Sequence, residues 1–161
     1  MIRKVILNPY LVLICTAYLL LVLTYSSFVP LWDGWIAMDT WILKAVLAPF
    51  NILNFDSYGH PSMIYFFILG LSQYIDFGNV FWVHITNAIL NIGAIIAFDG
   101  IIRLIFSDKS YEKELNFLTF LFAFYPVFFA NTFQVMPDYG VYLFFVLFLY
   151  FFLRKKIITT K

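Results

Sequence analysis

At 161 residues, 63% hydrophobic, 22% aromatic and only 12% charged, the chain is too apolar to be covered by a water-facing surface, because a soluble domain is about 45–50% apolar and about 25% charged. The expected fold class is an all-α integral membrane protein, one membrane domain over residues 1–161 with about four transmembrane helices and two outer juxtamembrane helices. A formal net charge of +1 suggests no nucleic-acid partner, and the single cysteine, Cys15, excludes both an internal disulfide and a cysteine-based metal site.

The elements follow in chain order. No formal charge lies between Lys4 and Asp33, and residues 5–29 read as the first crossing. The apolar run is too long for a secretion signal and no small-residue cleavage motif follows, so it reads as a retained anchor. Residues 33–50 read as an outer helix at the membrane surface. At 100° per residue Asp33, Ala37, Thr40 and Lys44 share one face, while Trp35, Met38, Ile42 and Val46 share another, and Pro49 ends the pattern.

Residues 60–75 form a second such segment. Their continuous apolar core, 63–71, is too short to cross a bilayer, so an interfacial or re-entrant helix is expected. Residues 77–106 read as the second crossing, 115–136 as the third and 139–153 as the fourth. The last is short, and Arg154 and Lys155 extend it by snorkelling.

With four crossings and a cytoplasmic start, Arg3, Lys4, Arg103, Lys109, Lys113, Arg154, Lys155, Lys156 and Lys161 fall inside, and only Lys44 falls outside. Both termini are then cytoplasmic, in what reads as a plasma (inner) membrane. Making 57–75 a fifth crossing with the same start puts most of these bases outside. A five-crossing chain that starts outside scores nearly as well on charge. It separates Asp33 and Asp39 from Asp138, however, whereas four crossings put Asp33, Asp39, Asp56, Asp76 and Asp138 on one outer face.

Asp33, between Trp32 and Trp35 where membrane meets water, reads equally as a solvated helix-start residue or as a general base that takes a proton from an acceptor hydroxyl. Asp138 follows Pro137, which locally reads as a helix N-terminal acid facing the helix dipole. Asp99, four residues before Arg103, is expected in an i,i+4 ion pair with no chemistry, and His84 as a packing residue. Gly59-His60-Pro61 reads as a turn before a helix, and Asp108, Glu112 and Glu114 with Lys109 and Lys113 as a solvated turn. No phosphate-binding glycine loop, zinc spacing or nucleophile elbow is present.

Three landmarks, Trp32-Asp33-Gly34-Trp35, Gly59-His60-Pro61-Ser62-Met63-Ile64-Tyr65, and Pro137-Asp138 followed by Phe144-Phe145 and a run ending in Arg154, together resemble the N-terminal part of the GT-C glycosyltransferases. These are membrane enzymes that use polyprenyl-phosphate sugars, and the likeness is to the protein O-mannosyltransferase-like group. The resemblance implies sugar transfer from a polyprenyl-phosphate donor to a hydroxyl acceptor on the outer face. It passes the role of catalytic base to Asp33 and that of a second outer acid to Asp138, and it sets His60 beside the donor phosphate.

Lys44 and His60 are the outer cations that could offset a leaving phosphate, and Lys44 and Asp39 join the substrate-binding candidates. A divalent metal is a further cofactor expectation. Two departures stand out: Gly34 follows Asp33 where the family commonly has Asp-Glu, and Ser62 replaces a proline. Family members also have many more crossings, so the expectation is a partial GT-C module that works with a partner chain or a further C-terminal portion, in contact with membrane lipids. The competing expectation is a non-catalytic four-helix subunit or a small lipid-carrier translocase associated with glycosylation.

Overall fold

The computed structural model describes residues 8–25, 42, 63–135 and 137–159. Every regular element among them is helical. The helices are α1 (Pro9–Thr24), α2 (Met63–Leu71, continued by a 3-10 turn Ser72–Tyr74), α3 (Val80–Ile105), α4 (Glu112–Ala123), α5 (Pro126–Gln134) and α6 (Pro137–Thr159). The outer helix expected at 33–50 lies outside the described residues except for Ile42, which is buried.

Local chemistry sets the helix ends. Asn8 caps α1 by accepting from the Tyr10 backbone N–H, with Pro9 at the first helical position, where its missing N–H costs nothing. Asn79 caps α3 in the same way through Phe81 N–H. The turn before it passes through Gly78 at φ 81°, a left-handed conformation suited to glycine, and Gln73 Oε1 accepts from the Gly78 N–H at 2.7 Å.

The third expected crossing is two helices. Pro126 has no N–H to donate to Phe122 and its ring clashes with that carbonyl, so α4 stops at Ala123 and α5 begins at Pro126. The direction of the chain survives the break. Contacts between α3 and the α4–α5 rod pair Arg103 with Asn116, Asp99 with Thr119, Phe98 with Phe122, Asn91 with Thr132 and His84 with Phe133. One number rises as the other falls, so the rod runs antiparallel to α3 along its whole length.

Helix α1 lies beside the α4–α5 rod and runs with it, Asn8 meeting Asn116, Tyr18 meeting Thr132 and Tyr25 meeting Phe133. Helix α6 runs parallel to α3, pairing Tyr139 with Asn91 and Tyr150 with Gly100. The result is an up-down-up-down bundle of four rods around α3, which touches every other helix. Helix α2 folds back antiparallel on the first turns of α3, joined by Tyr65 to Asn87 and by Gln73 to Asn79.

Two stretches, Val80–Ile105 and Glu112–Gln134, are long and apolar enough to cross a membrane. They coincide with the second and third expected crossings. Pro9–Thr24 and Ile64–Tyr74 are shorter apolar helices. The helix expected over 139–153 is longer than the apolar run, because α6 starts at Pro137 and continues through Arg154 and Lys155 to Thr159. The basic residues of the described chain gather at the end of the bundle that holds Asn8 and Asn116, and Asp76 and Asp138 lie toward the other.

Candidate functional site

The interior of the bundle has three storeys. At the Asn8 end, Asp99 is buried and receives two hydrogen bonds, from Arg103 Nε at 2.8 Å and from Thr119 Oγ1 at 2.9 Å. This is the i,i+4 ion pair expected from the sequence. Arg103 also donates to Asn116 Oδ1 at 2.6 Å, and Asn8 Nδ2 donates to the same oxygen at 2.8 Å, so one cluster ties α1, α3 and α4 together. Just outside it, the Ser110 backbone N–H donates to Asp108 and holds that exposed carboxyl below its ordinary value.

Above this cluster comes an aromatic layer. Phe98 and Phe122 stack at 4.1 Å between ring centroids, and Phe128 closes on Phe122 at 4.6 Å. The Tyr18 ring packs against Phe124, Phe128 and Phe129. This layer is dry by composition and separates the charged storey from the third one.

The third storey is a neutral polar network. Asn91 donates to Tyr18 Oη at 3.0 Å and to Thr132 Oγ1 at 2.8 Å, and accepts from Tyr139 Oη at 2.9 Å; Tyr18 and Thr132 hydrogen-bond each other. One turn away, Asn87 accepts from Tyr65 Oη at 2.9 Å and donates to the carbonyls of Asn131 and Thr132. Both carbonyls belong to the last turn of α5; Asn131 also accepts from the Val135 N–H, and for Thr132 the Asn87 amide serves as a side-chain cap supplied by another helix.

Five helices thus meet through amides and hydroxyls that are fully buried or nearly so. In hydrocarbon surroundings such groups are tolerated when each finds a partner. His84, also buried, stands one turn nearer the α3 N-terminus with its ring edge-on to Phe133 at 5.3 Å.

Of the residues singled out in the sequence, Asp33, Asp39, Lys44 and His60 lie outside the described residues. Asp138 falls in the first turn of α6, as its place after Pro137 suggests. Its neighbours Tyr139 and Gly140 are the point where α6 meets α2. A Cβ at position 140 would stand 2.6 Å from Tyr65 Cβ, so only glycine lets the two helices come this close. Among the described residues, no three of His, Cys, Asp and Glu converge to hold a metal ion.

Sequence reasoning missed the neutral network. Its trace is a polar stripe in an otherwise apolar helix: His84, Asn87 and Asn91 recur at i, i+3 and i+7, and Asp99 continues the same face of α3. The partners Tyr18 and Thr132 carry no such signal.

Fold and interior define the class only coarsely: an all-helical bundle with two segments long and apolar enough for a membrane. No family model, curated protein or solved structure matches the chain.

Proposed function

We propose that the chain is a membrane-embedded, four-crossing bundle with its Asn8 end in the cytoplasm, and that it builds the opening part of a GT-C-type glycosyltransferase. The observation that carries this reading is the seat of Tyr65 on Tyr139 and Gly140. Tyr65 closes the Gly59-His60-Pro61 element and Tyr139 follows Pro137-Asp138, so two of the three resemblance elements, far apart in sequence, meet at one end of the bundle. The third element follows α1, whose C-cap residue, Tyr25, reaches the same end through Phe133. The gathering of basic residues at the opposite end supports the orientation.

In the proposed reaction, the acceptor hydroxyl oxygen forms the new bond to the sugar's anomeric carbon. The bond from that carbon to the polyprenyl phosphate breaks, and the phosphate leaves with the electron pair. Asp33 receives the hydroxyl proton. His60 and Lys44, or a divalent metal, offset the charge of the leaving phosphate, and Asp39 and Asp138 complete the acidic outer face. In a sugar-transfer assay on the complete assembly, Asp33→Asn keeps the shape of the side chain but not its basicity and lowers turnover by roughly 10²–10⁴-fold. Asp138→Asn lowers it less. Full activity of Asp33→Asn would return Asp33 to a structural role.

A second reading, a non-catalytic subunit or small lipid-carrier translocase, is favoured by one observation. The hydrogen-bonded network at the Tyr65 end joins five helices through amides and hydroxyls among the described residues, as a helix-assembling subunit would. Movement of donor lipid between leaflets without sugar transfer would select it.

A further inference from the structure

The α4–α5 rod and α6 both pack on α3 and leave a groove of about 600 Å³ between them. Phe98 of α3, Leu121 and Phe122 of α4, Val127 and Asn131 of α5 and Tyr139 of α6 line it. Leu121 and Val127 are exposed, so the groove is open along its side. Two of its walls are the two segments long enough to cross a membrane.

Its dimensions select the occupant. Along the α4–α5 rod the lining runs from Leu118 to Asn131, about 20 Å of helix, which gives a mean cross-section of about 30 Å². An α-helix about 10 Å across needs about 80 Å², so a whole helix cannot sink into the groove, whereas a single hydrocarbon chain can. A dry apolar cavity of about 150 Å³ accepts benzene, so this groove has room for a chain of on the order of twenty carbons. The lining is graded as well. Asn131 and Tyr139 supply polar atoms near the start of α6, whereas Phe98, Leu118 and Leu121 supply hydrocarbon toward the charged end.

We propose that the groove holds one hydrocarbon chain of a bilayer lipid, drawn from the leaflet at the Asp138 end with its tail pointing toward the Asp99 storey. The chain is a resident filler that extends the contact between the third and fourth rods beyond Phe128 and Tyr139. This rests on the membrane reading above, but not on the sugar-transfer reading.

The test is photo-crosslinking of the full chain in nanodiscs made with a phosphatidylcholine that carries a diazirine near the end of one acyl chain. Adducts are expected to concentrate several-fold on residues 118–131 over Leu13 of α1 and Phe148 of α6, which are more exposed than any aliphatic residue of the groove. Leu121→Trp, which fills the groove, should lower them several-fold, and Val127→Trp serves if that variant does not fold. Leu13→Trp should leave them unchanged. Even labelling over all exposed apolar positions, adducts insensitive to both tryptophans, or a dimer that shields Leu121 would each overturn the proposal. Failure of the chain to enter nanodiscs, read before illumination, would overturn the membrane reading together with it.

Discussion

The two polar storeys of the bundle solve the same problem with different chemistry. At the Asn8 end, a buried carboxylate is paired with Arg103 and accepts a hydrogen bond from Thr119, and the arginine reaches outward to Asn116 among other charged residues. At the Tyr65 end, the joints are amide to hydroxyl and amide to carbonyl. Charge is placed where the guanidinium is partly exposed and can stay solvated on one side, and neutral dipoles are placed where five helices enclose the groups on all sides. The energetic consequences differ accordingly. Breaking an ion pair strands a charge, whereas breaking a neutral joint strands only a dipole.

The largest expected effect therefore lies in the charged storey. Arg103→Ala leaves Asp99 buried without its counter-ion and should cost about 3 kcal/mol, measured by reversible denaturation in mixed micelles. Adding Asp99→Asn should restore most of that loss, since the stranded charge is then gone. A single-mutant cost below that of a neutral joint would erase the distinction between the storeys.

Asn91→Leu removes the centre of the neutral network and its three hydrogen bonds. Interhelical bonds in membranes average about 0.6 kcal/mol, so the expected loss is about 2 kcal/mol, smaller than for Arg103→Ala. Gly140→Ala tests close approach instead of polarity. The added methyl meets the Tyr65 backbone side of the ring and should cost about 1–2 kcal/mol in the same assay, with weakened protection of α2 in hydrogen exchange.

The smallest effect belongs to Asp108, exposed between α3 and α4. Its carboxyl titrates below its ordinary value of 3.8 because of the Ser110 N–H, so its contribution is present above that value and is lost as pH falls through the lower folded one. Asp108→Asn keeps the acceptor and should remove that acid-range dependence from the 109–111 turn, read by hydrogen exchange at Ser110.

The sequence made the long elements legible for plain reasons. An uncharged apolar run of sufficient length identifies α3 and the α4–α5 rod, and an i,i+4 acid–base pair identifies the Asp99 storey. Pro137 marks the start of α6. The break at Pro126 went unread because hydropathy does not change across it, although the missing N–H had to interrupt the helix. The neutral network was less accessible still: Tyr18 and Thr132 are 114 residues apart, and only the folded arrangement of four rods brings them to Asn91. Of the candidate site, the place of Asp138 at a helix start was readable from Pro137, while the seat of Tyr65 on Gly140 depends on a helix pairing that no local pattern encodes.

Between α5 and α6 the chain turns within two residues, and the first of them, Val135, is buried and left-handed at φ 53°, a conformation that β-branched residues seldom adopt. The Val135 N–H bonds back to the Asn131 carbonyl, so this residue fixes where the last turn of α5 stops. That turn carries the carbonyls held by Asn87 and the Thr132 hydroxyl held by Asn91, and the chain then enters α6, whose Tyr139 bonds Asn91 from the other side. One strained valine thus stands between two helices that present their hydrogen-bonding groups to the same pair of asparagines.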